Sequence, residues 1–264
     1  PMLLSRRYVR NRPRALDINM ETTPDGLLIW YDLVSRYSQK RLTFDTDTLP
    51  AISGIASRLV SPASGRYLAG LWEADLRRGL MWMCSFYDWT PDSVSSEYIA
   101  PSWSWASIKR SVSWLSPGYI EHWHITILDV HCQLKHESPF GEVIDGSVKL
   151  RGPIVEGILI SMEEAGTHYS ATNAGSWAFV RRRNDSRGFR LDDVKTCRGL
   201  LGKPVYCLRV CTDIVDKRTK LGPDRALVLQ KCGWTKFKRI GFAEGYPVGE
   251  EWYEGAEELE ITII

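Results

Sequence analysis

WYDLVSRYSQKRLTFDTDTLPAISGIASRLVSPASGRYLAGLW, Trp30 to Trp72, organises the chain, and APSWSWAS, Ala100 to Ser107, answers it further along. Trp30, Leu33, Val34 and Tyr37 fall at i, i+3, i+4 and i+7, which predicts an amphipathic helix from Leu27 to near Ser38. Asp47 and Thr48 stand ahead of Pro50, a cap followed by proline in the first turn. Leu49, Ile52, Ile55, Ala56 and Leu59 then continue one face of a second helix. Ser61 to Gly65 reads as a turn. After it Leu68, Leu71, Trp72, Leu76, Leu80 and Met83 make a third apolar stripe, with Glu73 and Arg77 pairing at i, i+4 on its solvent face. On that reading Gly70 lets a helix approach a neighbour. Helices under about 12 to 15 residues are marginal alone, so the three must bury their faces together. Trp30, Leu33, Ile52, Ile55, Leu71, Trp72 and Leu76 are the expected core.

Beyond Pro91 the period changes to two. Trp103 and Trp105 alternate with Ser102, Ser104 and Ala106, which predicts a strand with both indoles on one face and Trp103 or Trp105 packed onto the helical core. Further strand candidates are 124–134, 146–151, 155–161, 177–181, 205–212, 226–231, 237–242 and 259–263, divided by Gly, Pro, Asn and Asp clusters. The spacing suits an antiparallel sandwich or barrel, with Asn184 to Arg198 the expected long loop. The fold class is therefore α+β: a lead-in segment over 1–26 with at most a strand around Tyr8, a helical region over 27–94, and a β-rich part over 95–264.

With 34 basic and 32 acidic residues the formal net charge is +2, so no global field steers the chain to nucleic acid or anionic lipid. Basic residues gather at Arg6, Arg7, Arg10, Arg12 and Arg14, and again at Arg181 to Arg183, while the last fifteen residues carry six Glu. No apolar run spans a membrane and no leader pattern opens the sequence, which points to a cytoplasmic setting. Six Cys in a chain of 264 residues do not make a disulfide scaffold, and they are expected reduced.

Motifs for chemistry are sparse. His122 and His124 would share a face of a strand, near His131, Cys132 and His136, but no C-x-x-C or H-E-x-x-H completes a metal shell. Cys207 and Cys211, four apart on one strand face, would stand some 13 Å from each other, too far for one zinc ion. Neither G-x-S-x-G nor a phosphate loop occurs, and Ser102, Ser104 and Ser107 read as the polar side of a strand. Arg181 to Arg183 follow Trp177 and Phe179, which suits either a nucleic-acid contact or, better, a charged edge strand. For the eleven Trp the choice lies between core packing and an aromatic cage. No catalytic, cofactor-binding or metal-binding residue is assigned.

Four short patterns together carry a resemblance. Trp30 to Thr43 fits W-x-x-[LIV]-V-x-x-Y-[ST]-x-[RK]-x-[LF]-[ST], Asp47 to Ala56 fits D-x-L-x-A-[ILV]-x-G-[ILV]-A, Tyr67 to Trp72 fits Y-x-A-G-[LI]-W, and Pro101 to Ser107 fits P-S-W-S-W-[AT]-S. In that order they resemble the region that follows the N-terminal module of fungal heterokaryon-incompatibility (HET) proteins, and Met2 to Asn11 looks like the last residues of the module itself. The resemblance implies a fragment or truncated gene product acting in non-self recognition that ends in regulated cell death. Any nucleotide-cleaving activity would belong to the missing TIR-like module, leaving this chain as a scaffold or sensor with no catalysis of its own. Its partners would be that module and another protein, met through loops of the β-rich half. An enzyme with an unrecognised site and a nucleic-acid-binding β-domain are the alternatives.

Overall fold

A computed structural model of the chain describes residues 24–85, 94–114, 120–163, 177–213, 223–244 and 250–264. The lead-in with its candidate strand around Tyr8 lies outside them. The elements in chain order are α1 (Pro24–Tyr37), α2 (Pro50–Leu59), β1 (Tyr67–Leu68), β2 (Leu71–Trp72), α3 (Leu76–Gly79), β3 (Trp82–Cys84), β4 (Val112–Trp114) and β5 (Ile120–Trp123). They continue with β6 (Thr126–Leu134), β7 (Val143–Glu163), β8 (Trp177–Arg182), β9 (Asp185–Leu191), α4 (Val194–Arg198), β10 (Pro204–Asp213), β11 (Asp224–Lys231), β12 (Lys236–Glu244) and β13 (Glu257–Ile263). The α+β class with a β-rich C-terminal part is as expected.

The first two helices form where the period places them. α1 buries Trp30 and Val34, and α2 buries Ile52, Ala56 and Leu59. Ile55 is 44% exposed, so the core face of α2 is narrower than the sequence suggested. Asp47 and Thr48 do not cap α2. They belong to a 3₁₀ turn, Asp45–Thr48, in which Thr48 Oγ1 donates to the Asp45 carbonyl, and Leu49 holds the N-cap position without a side-chain bond.

The third helix does not form. Tyr67 to Trp72 is a tight hairpin pairing Tyr67 with Trp72 and Leu68 with Leu71, with Ala69 and Gly70 at φ of 47° and 92°. Positive φ at both central residues is the type I′ turn that matches strand twist. Only the single turn α3 follows before the chain extends into β3. Tyr67 to Trp72 and Leu80 to Cys84 are buried at every position. A segment covered on all sides carries no amphipathic period, so the spacing of its leucines was no guide. Glu73 consequently bonds Arg66 across the hairpin, at 2.7 Å, and not Arg77.

The SWSW run is likewise not a strand. Ser104 N donates to the Pro101 carbonyl, Ser104 Oγ accepts from Ala106 N, and Trp105–Ser107 closes a 3₁₀ turn. Both indoles are nevertheless buried in the same core as Trp30 and Trp72.

In the β-rich part, β7 pairs with β10, β10 with β11, β11 with β12, β12 with β9, β9 with β8, and β8 with β7, all antiparallel, so six strands close on themselves. The interior is a second core, with Val155, Leu159, Val180, Phe189, Leu191, Val205, Cys207, Val228 and Ile240 among its residues. Alternate residues of the same strands, such as Leu208, Leu227 and Leu229, face outward into the core of α1, α2 and the tryptophans. That is why β10 and β11 are apolar on both sides.

The two candidates 146–151 and 155–161 are one strand, β7, running through Gly152 and Pro153. β6 pairs with β7 only up to Arg151 and β10 takes over at Ile154. Pro153, with no N–H to donate, sits at that change of partner, where a missing donor costs least. The expected loop Asn184 to Arg198 holds β9 and α4. β9 escaped the pattern because its buried residues include Arg190 and its middle is Gly188, and α4 is capped by Asp193, whose carboxylate accepts from Thr196 N at 2.8 Å.

The two cores are tied by Arg239 on β12. Its fully buried guanidinium bonds Asp192 at 2.8 Å, donates to the carbonyls of Leu80 and Trp82, and lies 3.4 Å over the Trp82 ring. Burial raises the Asp192 carboxyl above its ordinary value, against the pull of Arg239. Losing one partner of a buried pair typically costs about 3 to 5 kcal/mol, because the other charge is left uncompensated. Arg239→Met should therefore lower the urea midpoint strongly, and adding Asp192→Leu should bring part of it back. A further loss in the double variant would show that Asp192 is held by something other than this pair.

Candidate functional site

The motif tryptophans serve the core. The Gly70 carbonyl accepts from two buried indoles, Trp30 Nε1 at 3.0 Å and Trp105 Nε1 at 2.9 Å, while the Ala69 carbonyl accepts from Ser104 Oγ at 2.6 Å. Trp82 Nε1 donates to the Trp103 carbonyl at 2.9 Å. Trp30, Tyr67 and Trp72 meet edge to face with ring centroids 5.0 to 5.9 Å apart. Rings so packed have no face open to a ligand, which rules out an aromatic cage at these positions. Gly70 does permit a close approach, though between a turn and an indole: a Cβ there would lie 2.4 Å from Trp105 Nε1.

The other candidates are dispersed. His131 and His136 are exposed on and after β6, and Cys132 between them is half-buried with its thiol pushed by burial to about 11. Among the described residues no three metal-ligating side chains gather. Cys207 and Cys211 do not share a face. A bulge between Arg209 and Cys211 reverses the alternation of β10, so Cys207 enters the six-strand interior and Cys211 the tryptophan core. Ser102 Oγ donates to the Ile264 carbonyl and accepts from Arg239 N. Arg181 to Arg183 are not on an edge, since β8 is paired on both sides. Arg182 donates to the carbonyls of Trp252 and Glu254, and Arg183 pairs with the Glu254 carboxylate at 2.5 Å.

His122 and His124 do come together, with ring centroids 4.6 Å apart. His124 Nε2 lies 2.7 Å from Thr212 Oγ1, which donates to Asp224 Oδ1 at 2.9 Å, and Arg209 Nη2 bonds the same oxygen at 2.7 Å. The single Thr212 proton is committed to Asp224 Oδ1, so Thr212 Oγ1 can only accept from His124, which donates through Nε2–H. The arrangement is the reverse of a histidine base activating a hydroxyl.

The feature that remains open is a groove of about 560 Å³ beside β13. Thr262 N donates to the Thr235 carbonyl and Ile264 N to that of Phe237, so alternate residues of β13 face β12. β12 begins at Lys236, and below Thr262 no strand among the described residues pairs with β13 on that side. Glu258 and Glu260 thus turn their backbone N–H and carbonyl groups along the groove. Tyr206, Leu259 and Trp234 line it, the last 93% exposed at the tip of the β11–β12 hairpin. Glu156 and Glu257 stand on its walls with Arg182 and Lys231, and Glu260 is already paired with Lys149 and Arg151. Sequence reading missed it because a free edge depends on where a distant strand stops. Only Trp234 in a Gly-Trp-Thr turn, outside any apolar period, was a signal.

No protein-family model matches the chain, and neither a curated protein nor a solved structure does.

Two outcomes follow. Gly70→Ala should destabilise by at least about 2 kcal/mol, because left-handed strain and the Trp105 contact act together. A melting midpoint within a degree or two of the parent would contradict the shared-carbonyl geometry. Burial, with Arg209 next, lowers the His124 pKa from 6.5 to about 4. The fold therefore favours the neutral ring, and its contribution is present above 6.5 and lost as pH falls towards 4. His124→Gln, which keeps a donor to Thr212 and cannot titrate, should flatten that part of the stability profile.

Proposed function

We propose that this chain is the scaffold or sensor portion of a heterokaryon-incompatibility-type protein, cytoplasmic, without catalysis of its own, serving non-self recognition that ends in regulated cell death. Four ordered motifs support the family reading. The scaffold role rests on one observation: the motif tryptophans are engaged in core contacts, whereas the groove beside β13 offers a strand edge unpaired among the described residues and flanked by an exposed tryptophan.

An unpaired edge binds an extended segment through main-chain hydrogen bonds, and the adjoining pockets select its side chains. The partner of this groove is a polypeptide that lays an extended stretch beside Glu258 and Glu260 and fits an apolar residue between Tyr206, Trp234 and Leu259. The described helices include none long and apolar enough to cross a membrane.

Purified chain incubated with NAD, peptides, esters and phosphate esters should turn none of them over; robust turnover surviving a second purification would favour an enzyme. Partner binding should slow amide exchange at Glu258 and Glu260, and Trp234→Ala should weaken it about tenfold or more while leaving the fold intact. Undiminished capture by Trp234→Ala, with no protection at β13, would remove the groove from the account.

A further inference from the structure

We infer that the cleft between the end of α1 and the loop after Trp105 binds a small phosphate-bearing molecule, independently of the groove beside β13. The cleft has a volume of about 630 Å³. Ligand sites commonly enclose roughly 300 to 1,000 Å³. One wall runs from Tyr37 to Leu42 and the other from Ile108 to Ser111, so the first and last of the four motifs meet here.

The charge of the lining is one-sided. Lys40, Arg41, Lys109 and Arg110 line it with a single acid, Asp45, in a chain whose formal net charge is only +2, and Arg110 also acts on Asp192 behind the wall. Asp45 is already engaged: Lys109 pairs with it, Ser95 Oγ donates to it at 2.9 Å, and its carboxyl is held below the ordinary value. Arg110 is buried and donates to the Leu191 carbonyl at 3.3 Å. Lys40 and Arg41 have no ion pair among the described residues, although each sits beside the cleft on an exposed loop.

That loop is held in place. Ser38 N donates to the Val34 carbonyl and Ser38 Oγ accepts from Val112 N, Lys40 N closes a turn onto the Tyr37 carbonyl, and Tyr37 Oη donates to that of Thr48 at 2.8 Å. Fixing the backbone costs free energy that the fold has already met, so only the two side chains remain to be ordered on binding. Neither of them packs against or supports the core. A solvated surface does not require two adjacent unpaired cations over a concavity that already contains two more.

A phosphate dianion suits this set. A guanidinium offers a planar fork to two phosphate oxygens and an ammonium adds a point charge. A phosphate group fills only a small part of the volume, and Tyr37, Leu42, Trp105 and Ile108 leave apolar wall for an organic body. The ligand is therefore a phosphate ester with a ring or short apolar group.

The full chain titrated with naphthyl phosphate, naphthoate and naphthol tests this. Naphthyl phosphate should bind saturably, more tightly than naphthoate and far more tightly than naphthol. Its affinity should fall as salt is raised, as a charge contact partly open to solvent requires. Inorganic phosphate should compete. Lys40→Gln with Arg41→Gln should weaken binding at least about tenfold with an unchanged melting midpoint, and Trp234→Ala should leave it untouched. The inference is overturned if nothing saturates by about 1 mM, if naphthol binds as well as its phosphate, or if the double variant binds like the parent.

Discussion

Two indole N–H groups, from residues seventy-five positions apart along the chain, converge on one carbonyl oxygen, that of Gly70. Burying an indole leaves its N–H in need of an acceptor, and most backbone carbonyls are taken by helices and sheets. A type I′ turn points its central carbonyls away from its own ladder. Placed in the middle of a core, it becomes an acceptor for whatever packs over it. The turn needs φ above zero at Ala69 and Gly70, and the indole of Trp105 needs Gly70 to have no Cβ. Hence Trp30, the Ala-Gly turn and the SWSW loop are one device distributed over three motifs, and the identity of each residue is fixed by the other two.

Arg239 makes the second connection and differs in kind. Arg239 reaches from β12 to Asp192, just after β9, and to the carbonyls of Leu80 and Trp82. A buried ion pair adds little net stability over a well-packed apolar replacement, and its value lies in which arrangement it permits. Here it permits one docking of β3 against the outside of the six-strand ring. The α-rich and β-rich parts consequently share one core, running from Trp30 to Ile263.

How much of this could be read from the sequence varies with burial. α1, α2 and the strands from β10 to β13 were legible because they have distinct faces, and alternation or helical spacing records which residues face which surroundings. Tyr67 to Trp72 was not, since every side chain there is covered and apolar residues three and four apart mimic a helix. β9 was hidden by the opposite fault, a buried arginine, Arg190, where a strand is expected to show a valine. The Cys207 and Cys211 relation depends on one bulge, which no periodicity can announce. Both proposed sites lie where sequence patterns are silent: the groove exists because β12 starts late relative to β13, and the cleft because residues near 40 and near 110 fold onto each other.

The location of those sites follows from how the ring is filled. A closed sheet of six strands has a narrow interior, and Val180, Phe189, Leu191, Cys207 and Val228 occupy it, with Trp252 and Tyr253 packed in the same cluster. Such an interior is a core and offers no room for a ligand. Its outer face is covered in turn by α1, α2 and the tryptophan loops. Recognition is therefore displaced to the places where one layer stops short of the next. Beside β13 the layer that stops is a strand, leaving main-chain groups and an exposed indole suited to an extended polypeptide. Above Trp105 the layers that meet are two loops, leaving side-chain cations suited to a compact anion. The two surfaces differ in chemistry because different parts of the backbone run out at each.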